Sequence, residues 1–198
     1  MKILIADIVM AAGIALALIM GSLTDFSRRC ESLQSEVLRL HIPANSDSEK
    51  DQRIKLALRD KVLEEYGVLL SENEDIEGAQ RQVRELLPEI EKTCCEFLAQ
   101  QGVDYSAKAE LVNMYFTTRQ YEEVTLPAGN YDALRITLGS GEGRNWWCIM
   151  FPPLCIPVAA EYDEELLADL TGEERPQVKL ALYEFLKWVT EGSQQQAR

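Results

Sequence analysis

Histidine is almost missing from this 198-residue chain, and the one present, His41, limits the chemistry available. A Ser-His-Asp or Cys-His hydrolase would have to use it as its base. The five cysteines, Cys30, Cys94, Cys95, Cys148 and Cys155, contain no C-x-x-C pair. That argues against a thioredoxin-like redox site and a zinc knuckle, so neither a metal nor a cofactor is expected. Cations are also scarce: 20 Lys plus Arg face 33 Asp plus Glu, for a formal charge of −13. Proteins that bind nucleic acid non-specifically neutralise phosphates with clustered cations, and adsorption to an anionic membrane face needs the same. No nucleic-acid partner is therefore expected. Internal repeats and low-complexity runs are absent.

What is present is ordinary globular material, 46% hydrophobic and 27% charged, enough for one domain with a real core. The first thirty residues differ. Residues 3–23, "ILIADIVMAAGIALALIMGSL", are interrupted only by Asp7. As a helix they would span roughly 31 Å, close to the hydrocarbon thickness of a bilayer. The stretch also suits the apolar part of a secretory signal, although no good small-x-small cleavage site follows. Residues 1–30 are read as a signal peptide or membrane anchor, and residues 31–198 as a single acidic domain. Membrane contact through residues 3–23 is expected if the leader is not cleaved.

Along the domain, "VLRLHI" (37–42) alternates as a half-buried strand does. Ser46 with Glu49 reads as a capping box that opens a helix, with Ile54, Leu58, Val62 and Tyr66 on one face. A second helical pattern runs from Ile76 to Leu98, and Pro88 within it predicts a kink or a break. Strands are then expected over 105–116, 121–126, 131–138 and 146–151, with turn chemistry at "PAG" (127–129). A last amphipathic helix is expected through Val178, Phe185 and Val189 in the acidic tail. The order predicts an α+β fold, an antiparallel sheet packed by helices, behind an N-terminal apolar helix.

"GSGEG" (139–143) superficially resembles a phosphate loop but feeds the strand "NWWC", not a helix N-terminus, so a hairpin is the better reading. Asp47, Asp51 and Asp60 lack the glycine and terminal glutamate of a calcium loop. Export would permit disulfides. Cys148 and Cys155 would lie roughly 23 Å apart in an extended chain, so a bridge between them requires a reversal through Pro152 and Pro153.

Two segments carry a specific likeness. "HIPANSDSEKDQRIKLALRDKVLEEY" (41–66) and "LPAGNYDALRITLGSGEGRNWWCIMFPPLC" (126–155) resemble the stage II sporulation protein R family, and the likeness extends over roughly residues 36–157. Thr117 stands where the family has a proline and Glu122 where a glycine is usual. The resemblance implies an exported signalling protein without enzymatic activity. It would pass from the forespore of an endospore-forming bacterium into the intermembrane space, secreted or membrane-anchored. There it would activate a membrane-embedded aspartic protease of the mother cell, which processes a sigma-factor precursor. The alternative is an exported envelope hydrolase using His41 with a cysteine. A structural envelope protein held by residues 3–23 is a third reading.

In a strand, Trp146 and Trp147 point to opposite faces, so one of them faces away from the helices unless the tail helix covers it through Phe185. Trp146 or Trp147, flanked by Arg135 and Arg144, is therefore a candidate anchor for a partner, since Trp and Arg are enriched at binding hot spots. Asn45 and Asp47, in the loop before the first domain helix, form the second candidate surface, although helix capping alone would account for them.

Overall fold

Ile54, Leu58, Val62 and Tyr66 recur at helical spacing, and all four are buried. They lie on α2 (Glu49–Val62) and the π-helical turn Leu63–Gly67 that leads into α3 (Val68–Ser71). The fold comes from a computed structural model that describes residues 2–121 and 124–152; for residues 2–9 and several others in the first helix only the backbone is described. The expected tail helix, with Phe185, lies outside the described residues.

Helix α2 starts two residues later than the Ser46–Glu49 box predicts. Ser48 is the N-cap, and its Oγ accepts the Asp51 amide at 3.1 Å. Ser46 is drawn away because its hydroxyl donates to the Asp51 carboxylate at 2.6 Å. Helix α4 (Ile76–Gln100) opens at Asp75, whose carboxylate accepts the Gly78 amide at 2.7 Å. It continues through Pro88 as one 25-residue helix, so the expected break does not occur. Pro88 is exposed, which leaves the carbonyl it orphans open to water.

The strands form a mixed four-stranded sheet, order β2-β5-β1-β6, from β1 (Leu38–Pro43), β2 (Ala107–Phe116), β5 (Gly129–Leu138) and β6 (Asn145–Phe151). β1 runs parallel to β5 and antiparallel to β6; β2 runs antiparallel to β5. The architecture is α+β. Residues 139–144 are not the hairpin turn expected of "GSGEG", because β1 lies between β5 and β6; the loop instead passes over the end of β1. The central place of β1 also corrects its half-buried reading, since all six of its residues are buried. Leu38, Leu40 and Ile42 join Leu134, Ile136, Cys148 and the helices in the core. Arg39 and His41 occupy the other face and are buried too. A register shift between Leu38 and Arg39 is a bulge that carries Phe151 to the helix side, against simple alternation.

The segment read as one strand over 121–126 belongs instead to a small antiparallel pair, β3 (Arg119–Tyr121) and β4 (Val124–Leu126), with Thr118 Oγ1 accepting the Ala128 amide at 2.9 Å. The described residues fall into two compact units, one of 34–116 with 129–152 and the other of 2–33 with 117–128. The second contains most of α1 (Lys2–Glu36). Among the described residues no helix is long and apolar enough to cross a membrane, but many side chains of the apolar stretch 3–23 lie outside that description.

Pro88→Ala restores an amide that can reach the Arg84 carbonyl and removes a ring from a helix interior. It is expected to raise stability by about 1–3 kcal/mol in urea unfolding.

Candidate partner-binding site

A buried carboxylate needs donors, and the segment after β1 supplies them to Asp51 (7% exposed) from several directions. Asn45 Nδ2 donates to Oδ2 at 3.0 Å and Ser46 Oγ to the same oxygen at 2.6 Å; the Tyr105 hydroxyl donates to Oδ1 at 2.8 Å. Burial alone would raise the Asp51 pKa, but the bonds from Ser46, Asn45, Tyr105 and Ser48 outweigh it and the net shift is downward. On Tyr105, burial and the Asp51 charge push the phenol well up, so it stays a donor.

The same loop grips residues 139–144. Asn45 Oδ1 accepts the Ser140 amide at 3.0 Å, and the Asn45 carbonyl accepts the Ser140 hydroxyl at 2.8 Å. Asp47 accepts the Arg144 amide at 2.6 Å, and the Arg144 Nε lies 3.4 Å from the same carboxylate. The Gly143 amide donates to the Ala44 carbonyl at 2.8 Å. The approach is so close that a Cβ on Gly143 would overlap the Ser46 backbone.

Helix α2 backs this seam with one polar row. Asp51, Lys55 and Arg59 recur every four residues and so share a face. Lys55, buried, donates to the Arg144 carbonyl at 2.9 Å and to Gln52 Oε1 at 2.7 Å. Burial lowers the Lys55 pKa, and the Arg144 charge adds to that. The Arg59 guanidinium lies over the Trp146 ring, 4.2 Å from its centroid. The row was overlooked as part of the site, although its spacing in "DQRIKLALR" is visible beside the apolar stripe.

The candidate residues therefore separate. Asn45, Asp47, Arg144 and Trp146 belong to this seam. Asn45 has both its amide oxygen and its nitrogen committed internally, whereas Asp47 and Arg144 keep 64% and 72% of their side chains exposed. Arg135 and Trp147 belong to the opposite face of the sheet. There Trp147 stacks on His41, with centroids 4.0 Å apart and planes within 6°, and meets Phe116 edge-on at 4.9 Å. The Arg39 guanidinium lies 4.0 Å from the Phe116 centroid and 5.0 Å from that of Tyr131. Arg135 pairs with Glu110 at 2.9 Å.

His41 is 5% exposed, and neither ring nitrogen makes a well-formed hydrogen bond among the described residues. Burial, then the Arg135 and Arg39 charges, lower its pKa to about 4; Asn145 offsets only part of this. It does not converge with Cys148. His41 pairs across the strands with Trp147 and Leu40 with Cys148, so imidazole and sulfur point to opposite faces. Cys148 is moreover disulfide-bonded. Cys155, the partner considered for it, lies outside the described residues. Cys94 and Cys95 are free thiols; burial pushes the Cys94 thiol up to about 12, which leaves it un-ionised and inert.

A family model described as Stage II sporulation protein R matches residues 34–161. The protein of that name from Bacillus subtilis (strain 168) is 41% identical over 123 residues, which cover 62% of this chain and 55% of that protein. The likeness thus spans little more than half of the relative's length. No solved structure matches the chain.

Two outcomes follow from these charges. Asp51→Asn is expected to cost about 2 kcal/mol at pH 7. A depressed carboxylate stabilises above its ordinary value of 3.8 and stops doing so as pH falls through its folded pKa, so the deficit should shrink in urea titrations below that value. For His41, the unfolded imidazole takes up a proton near 6.5 and the folded one only near 4. Stability is then whole above 6.5 and falls by on the order of 3 kcal/mol on acidification to 4. The single histidine signal in a proton NMR titration reads that midpoint, and His41→Phe should flatten the stability profile across the window.

Proposed function

Since the chain belongs to the stage II sporulation protein R family, we propose that it is an exported protein ligand that activates a membrane-embedded aspartic protease of the mother cell. The activated protease processes the sigma-factor precursor. The chain passes from the forespore into the intermembrane space, directed or anchored by its apolar first segment. The work of such a molecule is to present a fixed surface, with no chemical step of its own. The observation that carries this reading is the seam between the two segments most like the family. Asp51, Lys55 and Arg59 hold residues 45–48, residues 139–144 and Trp146 in one arrangement, with Asp47 and Arg144 left exposed upon it. A rigid surface with exposed charges suits recognition, because little conformational entropy remains to be lost on docking. His41 and Cys148, on opposite faces of the sheet, give no support to the hydrolase alternative.

The reading is tested in cells that carry the receptor protease and the sigma-factor precursor. The chain is supplied with or without residues 1–30, and precursor cleavage is followed by immunoblot. Cleavage is expected only when the domain is exported. Folded, exported protein that leaves the precursor intact would sink the proposal.

A further inference from the structure

The two flanks of β2 are not equivalent. Ser106 accepts the Gly139 amide, so even-numbered residues of this segment bond inward to β5, and odd-numbered ones direct their amides and carbonyls away from the sheet. Helix α4 satisfies the first of these: Cys95 Sγ meets both the Ala107 amide and carbonyl, and Glu91 accepts the Ala109 amide at 2.9 Å. Beyond Ala109 no such cover is found among the described residues. Among the described residues, the outward backbone groups of Leu111, Asn113 and Tyr115 have no partner. Natural edges are usually blunted by lysine, proline or a bulge. Residues 111–115, "LVNMY", contain no charge and no proline, and the ten-residue pairing with β5 shows no register shift. Tyr115 at its end is 48% exposed.

We propose that residues 111–115 of β2 form a strand-addition site that takes one extended, net-basic segment of the membrane receptor. The inference rests on the receptor reading above and names how the receptor is held. The incoming strand would pair its backbone with the open groups of Leu111, Asn113 and Tyr115, extending the sheet to five strands. Its charge follows from its surroundings. Helix α4, packed on β2, carries five acidic and three basic side chains, and the whole chain carries −13. A second copy of the chain is the poorer occupant, since each copy carries −13.

Tyr115→Pro isolates the backbone contribution, because it deletes an outward amide and leaves the ladder to β5 whole. Tyr115→Ala keeps the amide and removes the side chain. Tyr115→Lys keeps the amide and sets a cation against a basic strand, in case proline impairs folding. In the precursor-cleavage assay, with export and folding verified, Tyr115→Pro should reduce the response about tenfold or more. Tyr115→Lys should reduce it in the same direction, and Tyr115→Ala should stay close to wild type. Inactive wild-type protein overturns the receptor reading and this inference with it. Active wild type alongside equally active Tyr115→Pro and Tyr115→Lys overturns the edge alone. A defect in Tyr115→Ala as deep as in Tyr115→Pro assigns the effect to the side chain and overturns strand addition. Sedimentation that finds a wild-type dimer and a Tyr115→Pro monomer gives the edge to a second copy and also overturns it.

Discussion

A carboxylate can be held out of water only if donors replace the water it loses, and Asp51 organises its neighbourhood around that requirement. Asn45, Ser46 and Tyr105 must each reach it, which fixes the segment after β1, the start of α2 and the start of the β2 segment against one another. Asn45, once turned toward Asp51, presents its amide oxygen to Ser140. The loop from β5 to β6 is positioned in turn, with Gly143 close against the Ser46 backbone. Asp47 and Lys55 then hold Arg144 from both sides, through its amide and its carbonyl. A chain of obligatory hydrogen bonds thus joins segments ninety residues apart, and the exposed charges of the proposed receptor surface stand at its end.

The sheet separates two kinds of chemistry by its pleat. On the helix side, Leu38, Leu40, Ile42, Leu134 and Ile136 build a conventional apolar core. On the other side, aromatic rings accommodate a buried cation and a neutral imidazole: Arg39 lies against Phe116 and Tyr131, and His41 against Trp147. Two guanidinium groups nearby make a charged imidazole costly, so His41 serves as a flat packing surface for an indole. That environment differs from a catalytic base, whose pKa is best matched to the working pH.

An edge strand needs either cover or a partner, and among the described residues β2 meets the condition over only part of its length. Side chains of α4 close the stretch at Ala107 and Ala109, where helix and strand lie side by side. The remaining residues, 111–115, carry no charge and no proline. Leu111–Asn113–Tyr115 and the Asp47–Arg144 seam are different parts of the same unit.

Periodicity is a local property, and the elements that depend on it were legible in the amino-acid order. The apolar face of α2, the long run of α4, the alternation in β5 and the opposite facing of Trp146 and Trp147 follow from spacings of 3.6 and 2. The family resemblance was legible for a related reason, since long strings such as "HIPANSDSEKDQ" and "GSGEGRNWWC" are read without knowing where they meet. Strand neighbours are not local. The loop "GSGEG" looks like a hairpin until β1, from a hundred residues earlier, is found between the strands it connects. Ser46 looks like a helix cap until Asp51 claims its hydroxyl. Asn45, Asp47 and Arg144 were singled out separately, but their union, and the removal of Arg135 and Trp147 to the far face, depended on the order β2-β5-β1-β6. The sequence by itself determined which residues are apolar, which segments coil or extend, and which family they resemble. Tertiary structure alone decided which polar groups are buried together, because a donor and its acceptor need only meet in space.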